Sequence, residues 1–344
     1  MARAPVRPGL ALCGEGPPDR RIRGGSVNNS KVAVIGSGYM GGGIAQVLAL
    51  AGRQVVLADA SPELAASNRE RLIREAADYG ERGLFPRDAG EAVAERLTAA
   101  ASLEDAVADV DLVEEAVPEI LDLKHETLRR VSAACRADTL IGSNTSTISI
   151  GTLAQAVADP SRFLGVHFSN PAPFVPGVEV IPHATTDPSA VDRVVELLRE
   201  CGKVGVPITD VTGFVLNRLQ YALFSEAARL VDEGVATPEA VDLIARTTFG
   251  FRLPFFGPFA IADIAGLDVY DFCYGSLGAA YPDRFAAPSV LSERVERGEL
   301  GVKTGRGFLA TPRERASELA TYRDEAYAAL SGLLKQLGPA PVDY

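Results

Sequence analysis

The chain of 344 residues has few of the side chains that build metal sites and disulfide frameworks. It contains three histidines and four cysteines, and they form neither an HExxH spacing nor a CxxC pair. No zinc or other metal site is therefore predicted, because such sites draw their ligands from clusters of these residues. The scattered cysteines indicate reduced thiols in a cytoplasmic protein. With three histidines, few side chains are available as a base near neutral pH.

Long apolar runs and an excess of positive charge are also missing. No apolar run reaches the roughly 18 residues that a bilayer-spanning helix needs. The formal net charge of −11 argues against nucleic acid and anionic membranes as main partners, since both are bound through basic patches. The apolar fraction of 47% is ordinary for a globular protein and excludes disorder throughout, while the length suggests two domains.

The first 28 residues differ in composition from the rest of the chain. They contain five arginines against two acidic residues, and prolines and glycines interrupt them throughout. Such a segment buries too little apolar surface to fold by itself, so we expect residues 1–28 to be a disordered tail. Its longest apolar stretch is shorter than the roughly 7–15 residues of a secretory signal.

From residue 31 onward, short β-branched runs alternate with helical patterns. The predicted strands are 31–35, 54–59, 111–117, 139–144, 163–168 and 177–181, and the predicted helices between them are 42–51, 61–80, 87–96 and 118–135. This alternation predicts an α/β domain with a doubly wound, Rossmann-like sheet. Near residue 210 the alternation stops, and helices are predicted over 213–233, from 237, over 258–267 and from about 312. A smaller all-α C-terminal domain is therefore expected.

A glycine-rich loop follows the first predicted strand. Residues 36–41 match GxGxxG, and the match lies between a strand and a helix inside a βαβ unit. In that context the glycines allow a tight turn, a close approach of a pyrophosphate and close helix packing. Asp59 ends the next strand, where an acid binds a ribose hydroxyl and repels a 2′-phosphate, so NAD is preferred to NADP. The predicted cofactor residues of this region are Gly36, Gly38, Tyr39, Met40, Gly41 and Asp59.

Oxidation of an alcohol by hydride transfer needs a base for the hydroxyl proton, and His167 is the best placed histidine. It lies near the end of an apolar strand, whereas His125 lies among charges on a helix and His183 lies in a turn. Glu179 stands alone as a charge in its strand, and a buried carboxylate needs a partner. Two alternatives stay open: His167 as a hydrogen-bonded core residue, and Glu179 facing solvent on an edge strand.

Two polar features near strand and helix ends have both a structural and a functional interpretation. Residues 143–147 (SNTST) follow a strand, and they either cap a helix or supply hydroxyl donors near a substrate oxygen. Asn217 lies in the first turns of the helix predicted from Gly213, where it either bonds a neighbouring helix or contacts substrate.

Together these motifs resemble the 3-hydroxyacyl-CoA dehydrogenase family over about residues 30–310. The matching segments are 36–41, 111–119, 143–147, 167–171 (HFSNP), 178–180, 213–218 (GFVLNR), 257–259 and 303–308 (KTGRGF). The resemblance implies an NAD-binding domain over 29–209, a helical substrate and dimerisation domain over 210–312, and a C-terminal helix and tail over 313–344. It also implies a homodimer and a role in fatty acid metabolism.

The resemblance further implies the roles of individual residues. His167 and Glu179 would form the catalytic pair, and Ser146 and Asn217 would hold the substrate oxygen near the nicotinamide. Glu119 and Lys124 match family positions that approach the NAD ribose and nicotinamide. The implied reaction is the reversible oxidation of a 3-hydroxyacyl thioester, with NAD as cofactor.

Some positions depart from typical acyl-CoA members and keep a second substrate class open. Phe168-Ser169-Asn170-Pro171 replaces Phe-Phe-Asn-Pro, and residues 175–178 (VPGV) replace the usual Met-Lys-Leu segment. The proline of that segment and residues 251–254 (FRLP) look more like relatives that oxidise free hydroxy acids, such as carnitine and gulonate dehydrogenases. Acids also stand among the arginines of the helix after Ser61, where a CoA phosphate would favour unbroken positive charge. A carrier-bound thioester and a non-catalytic NAD-binding protein are the further alternatives.

Overall fold

The computed structural model of the protein describes residues 30–342, and this part of the chain divides after Gln220 into two compact units. The predicted tail of residues 1–28, which includes Cys13, lies outside the described residues. Within residues 30–342, no helix combines the length and apolar character that crossing a membrane requires.

The first unit contains one sheet of eight strands in the order β3-β2-β1-β4-β5-β6-β7-β8. The strands are β1 Lys31–Ile35, β2 Gln54–Ala58, β3 Leu97–Ala99, β4 Leu112–Glu115, β5 Leu140–Ser143, β6 Phe163–Phe168, β7 Gly177–Pro182 and β8 Val204–Pro207. Every neighbouring pair is parallel except β6 and β7, which are antiparallel. The predicted doubly wound α/β fold is therefore confirmed.

Helices cover both faces of this sheet. They are α1 Tyr39–Leu50, α2 Pro62–Glu81, α3 Ala89–Arg96, α4 Leu103–Val107, α5 Leu121–Ala134, α6 Ile150–Leu153 and α7 Pro188–Glu200, and α8 Leu216–Asp232 begins in this unit. One apolar cluster joins α1, α2, α3 and α7 to the sheet, and a second joins α4, α5 and α6 to the opposite face. Burial on both faces explains why the strands are continuous apolar runs.

Most predicted helix and strand ends lie within a few residues of the observed ones, and local chemistry accounts for them. The Ser61 side chain accepts a hydrogen bond from Leu64 N and Pro62 is the first helical residue, as the predicted cap requires. In this unit the pattern missed the short strands β3 and β8 and the helices α4 and α7. Each of the two strands has at most four residues, too few for a periodic signal.

The helix predicted from Gly213 instead begins at Leu216. Gly213 has φ +77° and Phe214 has φ +49°, so both residues adopt the left-handed conformation that interrupts a right-handed helix. The correction places Asn217 in the first turn of α8.

The second unit is helical. After α8 it contains α9 Pro238–Thr247, α10 Pro258–Ala265, α11 Leu267–Ala280, α12 Ser289–Glu296 and α13 Ala316–Leu337. Its core is small and includes Ala262, Leu267 and Leu291. The buried Asp263 accepts hydrogen bonds from Phe308 N and Leu309 N, which holds the 303–308 segment against α10.

Candidate active site

The glycine loop between β1 and α1 has the shape that a bound pyrophosphate requires. Gly36 has φ +92°, and a Cβ at this position would lie 2.7 Å from Ala116 O, so only glycine fits the turn. A Cβ on Gly38 would meet nothing within 4 Å, and no side chain caps the N-terminus of α1. Open space therefore adjoins free backbone N–H groups, which suits the diphosphate of a dinucleotide.

Asp59, directly after β2, is held in place by the same loop. Its Oδ2 accepts hydrogen bonds from Ser37 N at 2.7 Å and from Ser37 Oγ at 2.5 Å, and its Oδ1 accepts one from Ala60 N. The Asn68 amide of α2 donates to Ser37 Oγ at 2.9 Å. The carboxylate is thus fixed beside the glycine loop, where it can accept ribose hydroxyls.

A cavity of about 630 Å³ adjoins this loop in the first unit. Seven of the predicted site residues line it together: Gly36, Gly38, Tyr39, Met40, Asp59, Glu119 and Ser146. Tyr39 exposes 68% of its surface, and Met40 packs partly against the core. Gly41 lies under the loop, where Gly36 O leaves no room for a Cβ. One cavity thus collects residues that are spread over more than a hundred positions of the chain.

His167 and Glu179 lie directly opposite each other on the antiparallel strands β6 and β7. His167 Nδ1 is 2.8 Å from Glu179 Oε2, and His167 is almost fully buried, with 4% of its surface exposed. β8 lies beyond β7, so Glu179 is not on an edge strand. The two side chains therefore face one another and not solvent.

The remaining oxygen of Glu179 is bound by the chain that precedes α8. Glu179 Oε1 accepts hydrogen bonds from Val215 N and Leu216 N, both at 2.9 Å. Burial works to raise the pKa of Glu179, but the hydrogen bonds from His167 and from these two N–H groups outweigh it, and the pKa is lowered. The side chain is therefore a carboxylate at neutral pH.

Ser146 and Asn217 lie on the other side of the imidazole. Ser146 Oγ is 3.0 Å from His167 Nε2, and Asn217 Nδ2 donates to Ser146 O at 3.0 Å. Because Nδ1 carries the proton that it donates to Glu179, Nε2 is an acceptor and Ser146 Oγ is its donor. The four residues predicted to be catalytic thus form one continuous chain of hydrogen bonds.

Glu119 organises the turn that carries Ser146. Its Oε1 accepts hydrogen bonds from Ser146 N and Thr147 N, both at 2.9 Å, and from the hydroxyls of Thr145 and Thr147. Burial works to raise the pKa of Glu119, but these hydrogen bonds and the Lys124 ammonium lower it. Glu119 therefore both lines the cavity and fixes the position of Ser146.

The Lys124 ammonium is fully buried beneath this turn. Its Nζ lies 2.9 Å from Glu115 Oε1, 3.2 Å from Asn144 O and 3.6 Å from the Glu119 carboxylate. Ser143 Oγ donates to the second oxygen of Glu115 at 2.6 Å. Lys124 does not line the cavity of about 630 Å³, and its closest partners in the structure are these protein groups.

The other two histidines lie apart from this chain of hydrogen bonds. His125 on α5 is half-buried, with Nε2 3.0 Å from Thr152 O, and not fully solvated as its charged neighbours suggested. His183 follows β7, with Nε2 3.0 Å from Pro160 O. Within residues 30–342, no group of three or more His, Cys, Asp or Glu side chains is arranged to hold a metal ion.

Sequence reasoning missed two supports of the site, the Glu119 hydrogen bonds and the left-handed turn at Phe214. The turn aims Val215 N and Leu216 N at Glu179, and the Phe214 ring lies 5.7 Å from the His167 ring. The one sequence signal for this turn was Gly213, since glycine favours the left-handed conformation next to a helix end. No local pattern indicates which residue a distant carboxylate contacts.

Glu114, next to Glu115 on β4, is a buried acid without a hydrogen bond to either carboxyl oxygen. A Cβ on Gly142 of the adjacent strand would collide with Glu114 Oε2, so the glycine provides the space for the carboxyl group. Burial, and to a smaller extent the charge of Glu115, raise the pKa of Glu114 well above its ordinary value, while Lys124 acts in the opposite direction. The protein therefore buries Glu114 as a neutral acid.

We expect Glu114→Gln to stabilise the protein more at pH 8 than at pH 5. The pKa of Glu114 is higher in the folded than in the unfolded chain, so its stability contribution is complete below the unfolded value and is lost as pH rises toward the folded value. An amide has no such dependence. Because a tenfold change in proton affinity corresponds to about 1.4 kcal/mol, we expect the effect of the substitution in urea unfolding to be more favourable at pH 8 than at pH 5 by about 1 kcal/mol or more. Glu81→Gln, at an exposed position, is the matched control. If the difference in unfolding free energy between Glu114→Gln and the wild type were independent of pH, the conclusion that Glu114 is buried as a neutral acid would be wrong.

Known proteins with similar sequences and structures cover nearly all of the described chain. Residues 31–211 match the family model of the 3-hydroxyacyl-CoA dehydrogenase NAD binding domain, and residues 213–311 match that of the C-terminal domain. A Mesorhizobium japonicum 5-formyl-3-hydroxy-2-methylpyridine 4-carboxylate 5-dehydrogenase is 34% identical over 88% of this chain and 98% of that protein. A probable 3-hydroxybutyryl-CoA dehydrogenase of Bacillus subtilis is 36% identical over 81% of this chain and 96% of that protein. The crystal structure of an Archaeoglobus fulgidus 3-hydroxyacyl-CoA dehydrogenase has a TM-score of 0.72 and is 35% identical, over 90% of this chain and 99% of that one.

Proposed function

Given that the chain belongs to the 3-hydroxyacyl-CoA dehydrogenase family and is an NAD-dependent oxidoreductase acting on CH–OH, we propose that it oxidises a 3-hydroxyacyl thioester to the 3-oxoacyl form. The observation that supports this reaction best is the buried contact of 2.8 Å between His167 Nδ1 and Glu179 Oε2. It leaves His167 Nε2 as the acceptor for a hydroxyl proton. The reverse direction reduces a 3-oxo compound.

The glycine loop and Asp59 would hold the cofactor. The open space in front of Gly38, the uncapped N-terminus of α1 and the fixed Asp59 carboxylate fit a diphosphate and a ribose. When bound, NAD+ supplies the acceptor for the hydride that leaves the hydroxyl-bearing carbon. Side chains of this protein take up the hydroxyl proton and position the substrate oxygen.

Glu179 orients the imidazole and stabilises its charge. As His167 takes the hydroxyl proton on Nε2, the ring becomes an imidazolium, and the carboxylate at Nδ1 compensates the new positive charge. Because Val215 N and Leu216 N keep Glu179 ionised, the proton remains on the imidazole and is not passed on to the acid.

Ser146 and Asn217 hold the oxygen that loses the proton. The Ser146 hydroxyl lies at the hydrogen-bonding position of Nε2. A substrate hydroxyl that takes this position would leave the Ser146 O–H free to donate to the substrate oxygen. Asn217 Nδ2 donates one N–H to Ser146 O, and its second N–H can donate to the substrate oxygen. Both donors favour the substrate oxygen once its proton has moved to His167, because the deprotonated oxygen and the carbonyl that forms from it carry more negative charge than the alcohol oxygen.

A free hydroxy acid is the second candidate substrate, and two observations favour it. The Mesorhizobium relative is named for a pyridine carboxylate and not for a thioester. In addition, arginines on α2 or directly after it are paired with acids of that helix, where a CoA phosphate would favour unbroken positive charge. The pairs are Arg69 with Glu70, Arg71 with Glu75 and Arg82 with Asp78. A carrier-bound thioester would avoid the need for these arginines.

A side-by-side rate comparison separates the candidates. We expect NADH absorbance to appear with 3-hydroxybutyryl-CoA, and kcat/KM to exceed that for 3-hydroxybutyrate, carnitine and gulonate by about tenfold or more, since added binding contacts raise kcat/KM. A higher value for a free acid would transfer the proposal to that class. Absence of NADH formation across the whole panel would favour a non-catalytic NAD-binding protein.

A homodimer and a role in fatty acid metabolism stay predictions from the resemblance, and a cytoplasmic location stays a prediction from the scattered cysteines. The helices of the second unit expose large apolar side chains, among them Leu223, Phe224, Ile244 and Phe272, each at least half exposed. Such a surface is typical of an interface between subunits, and light scattering of the purified protein would give its mass.

A further inference from the structure

The loop of residues 169–176 joins the strand that carries His167 to the strand that carries Glu179. β6 ends at Phe168 and β7 begins at Gly177, so this loop is the whole connection of the antiparallel pair. In such a pair the conformation and length of the connection fix the register, and so decide which residues face one another. The loop conformation therefore bears directly on the 2.8 Å contact between the two side chains.

One buried ammonium forms hydrogen bonds with the backbone of this loop. Lys203, between α7 and β8, donates from Nζ to Ala172 O at 2.6 Å, Val175 O at 2.8 Å and Pro173 O at 3.2 Å. Three carbonyl acceptors match the three N–H donors of a charged ammonium. Lys203 exposes 7% of its surface, so water does not readily replace these bonds.

The loop also packs on the helix that begins at the glycine loop. A Cβ on Gly43 of α1 would lie 3.0 Å from Pro173 Cδ and 3.4 Å from Ala172 Cβ, so the loop and the helix are in close contact. The Phe174 ring lies 5.5 Å from the Tyr79 ring of α2 in an edge-to-face contact. The loop is thus held by contacts with α1, with α2 and with Lys203.

We propose that Lys203 is a positioning residue for the reaction, because it fixes the 169–176 loop and through it the spacing of His167 and Glu179. The inference rests on the proposed roles of these two residues. Lys203 itself contacts neither the imidazole nor the carboxylate, so its effect passes entirely through the backbone of the loop. Small displacements of a catalytic pair have large effects on rate.

The test is a double-mutant cycle between Lys203 and Glu179. We expect Lys203→Met to lower kcat about tenfold or more, with KM for NAD+ within about twofold, because neither the glycine loop nor Asp59 touches Lys203. In a Glu179→Gln background the same change should lower kcat less than about twofold, since the pair that it positions is already broken. Lys203→Arg keeps a cation with several N–H donors and should recover most of the rate.

Arg162→Met is the matched control. Arg162 is likewise a buried cation that donates to backbone carbonyls, those of Arg136 and Thr139, but it does not touch the 169–176 loop. We expect it to lower the unfolding temperature and to leave kcat within about twofold. Should Lys203→Met fail to fold, Lys203→Gln, which retains one amide donor group, takes its place in the cycle.

The outcomes are distinguishable. An equal loss of kcat from the lysine variant in both backgrounds would show that Lys203 acts on stability alone and would overturn the inference. A wild-type kcat in Lys203→Met or in its glutamine substitute would do the same. A wild-type kcat in Glu179→Gln alone would instead remove the proposed His–Glu pair, and the inference would fall with it.

Discussion

His167→Ala lowers kcat by about 10²–10⁴-fold if the imidazole is the base that takes the hydroxyl proton. The expectation follows from the geometry of the ring, whose Nδ1 is 2.8 Å from Glu179 and whose Nε2 is 3.0 Å from Ser146 Oγ. Binding of NADH, followed by its fluorescence, should be unchanged, because the glycine loop and Asp59 lie on other elements. Steady-state kinetics with the best substrate of the panel measure the loss.

His183→Ala is the control for that result. His183 is the histidine near the far end of the same antiparallel pair, and its Nε2 contacts Pro160 O. We expect kcat of this variant to stay within about twofold of the wild type, since the ring touches none of the proposed catalytic groups. A near-native rate in His167→Ala would remove His167 from the mechanism, whatever the control shows.

Lys124→Met costs about 3–5 kcal/mol of the free energy of unfolding, because it leaves the Glu115 carboxylate buried without its counter-charge. Both side chains have no exposed surface, and their closest atoms are 2.9 Å apart. Burial raises the pKa of Glu115, while Lys124, Ser143 and Val117 N lower it, so removal of the lysine strips away one of the contributions that favour the charged form. Urea unfolding at pH 7 measures the loss.

A second substitution distinguishes the cost of an unpaired Glu115 carboxylate from the cost of altered packing at position 124. In Lys124→Met with Glu115→Gln neither of these two positions carries a buried charge, and we expect about half or more of the lost stability to return. Lys31→Met removes a half-exposed lysine, 3.9 Å from Asp109, and should change stability by less than about 1 kcal/mol. If the double variant were as unstable as Lys124→Met, the cost would belong to the packing of the methionine and not to the carboxylate.

The sequence determined those elements that depend on interactions between residues close together along the chain. The apolar run before Gly36, the cap at Ser61 and the proline after it specify a strand and a helix through contacts within a few residues. The same holds for the glycine loop, because its turn and its helix start involve adjacent positions. The short strands β3 and β8 escaped detection because pairing with neighbours, and not a periodic pattern, forms them.

The nature of the catalytic candidates was also readable from residue type. A lone histidine and a lone glutamate in apolar strands each require a partner when buried, which made His167 and Glu179 a natural pair. Whether they meet was open, because an edge strand with Glu179 in solvent satisfied the same pattern. The sheet order decided the matter by placing β8 beyond β7.

The sequence alone therefore determined the βαβ order, the glycine loop and the residue types available for acid and base chemistry, since each depends on neighbours along the chain. Only the tertiary structure decided what each charged side chain contacts: Glu119 with the Ser146 turn, Lys124 with Glu115, and Lys203 with the 169–176 loop. Each of these contacts joins residues that lie 9 to 31 positions apart and belong to different structural elements. Their partners are selected by strand order and packing, which no local pattern encodes.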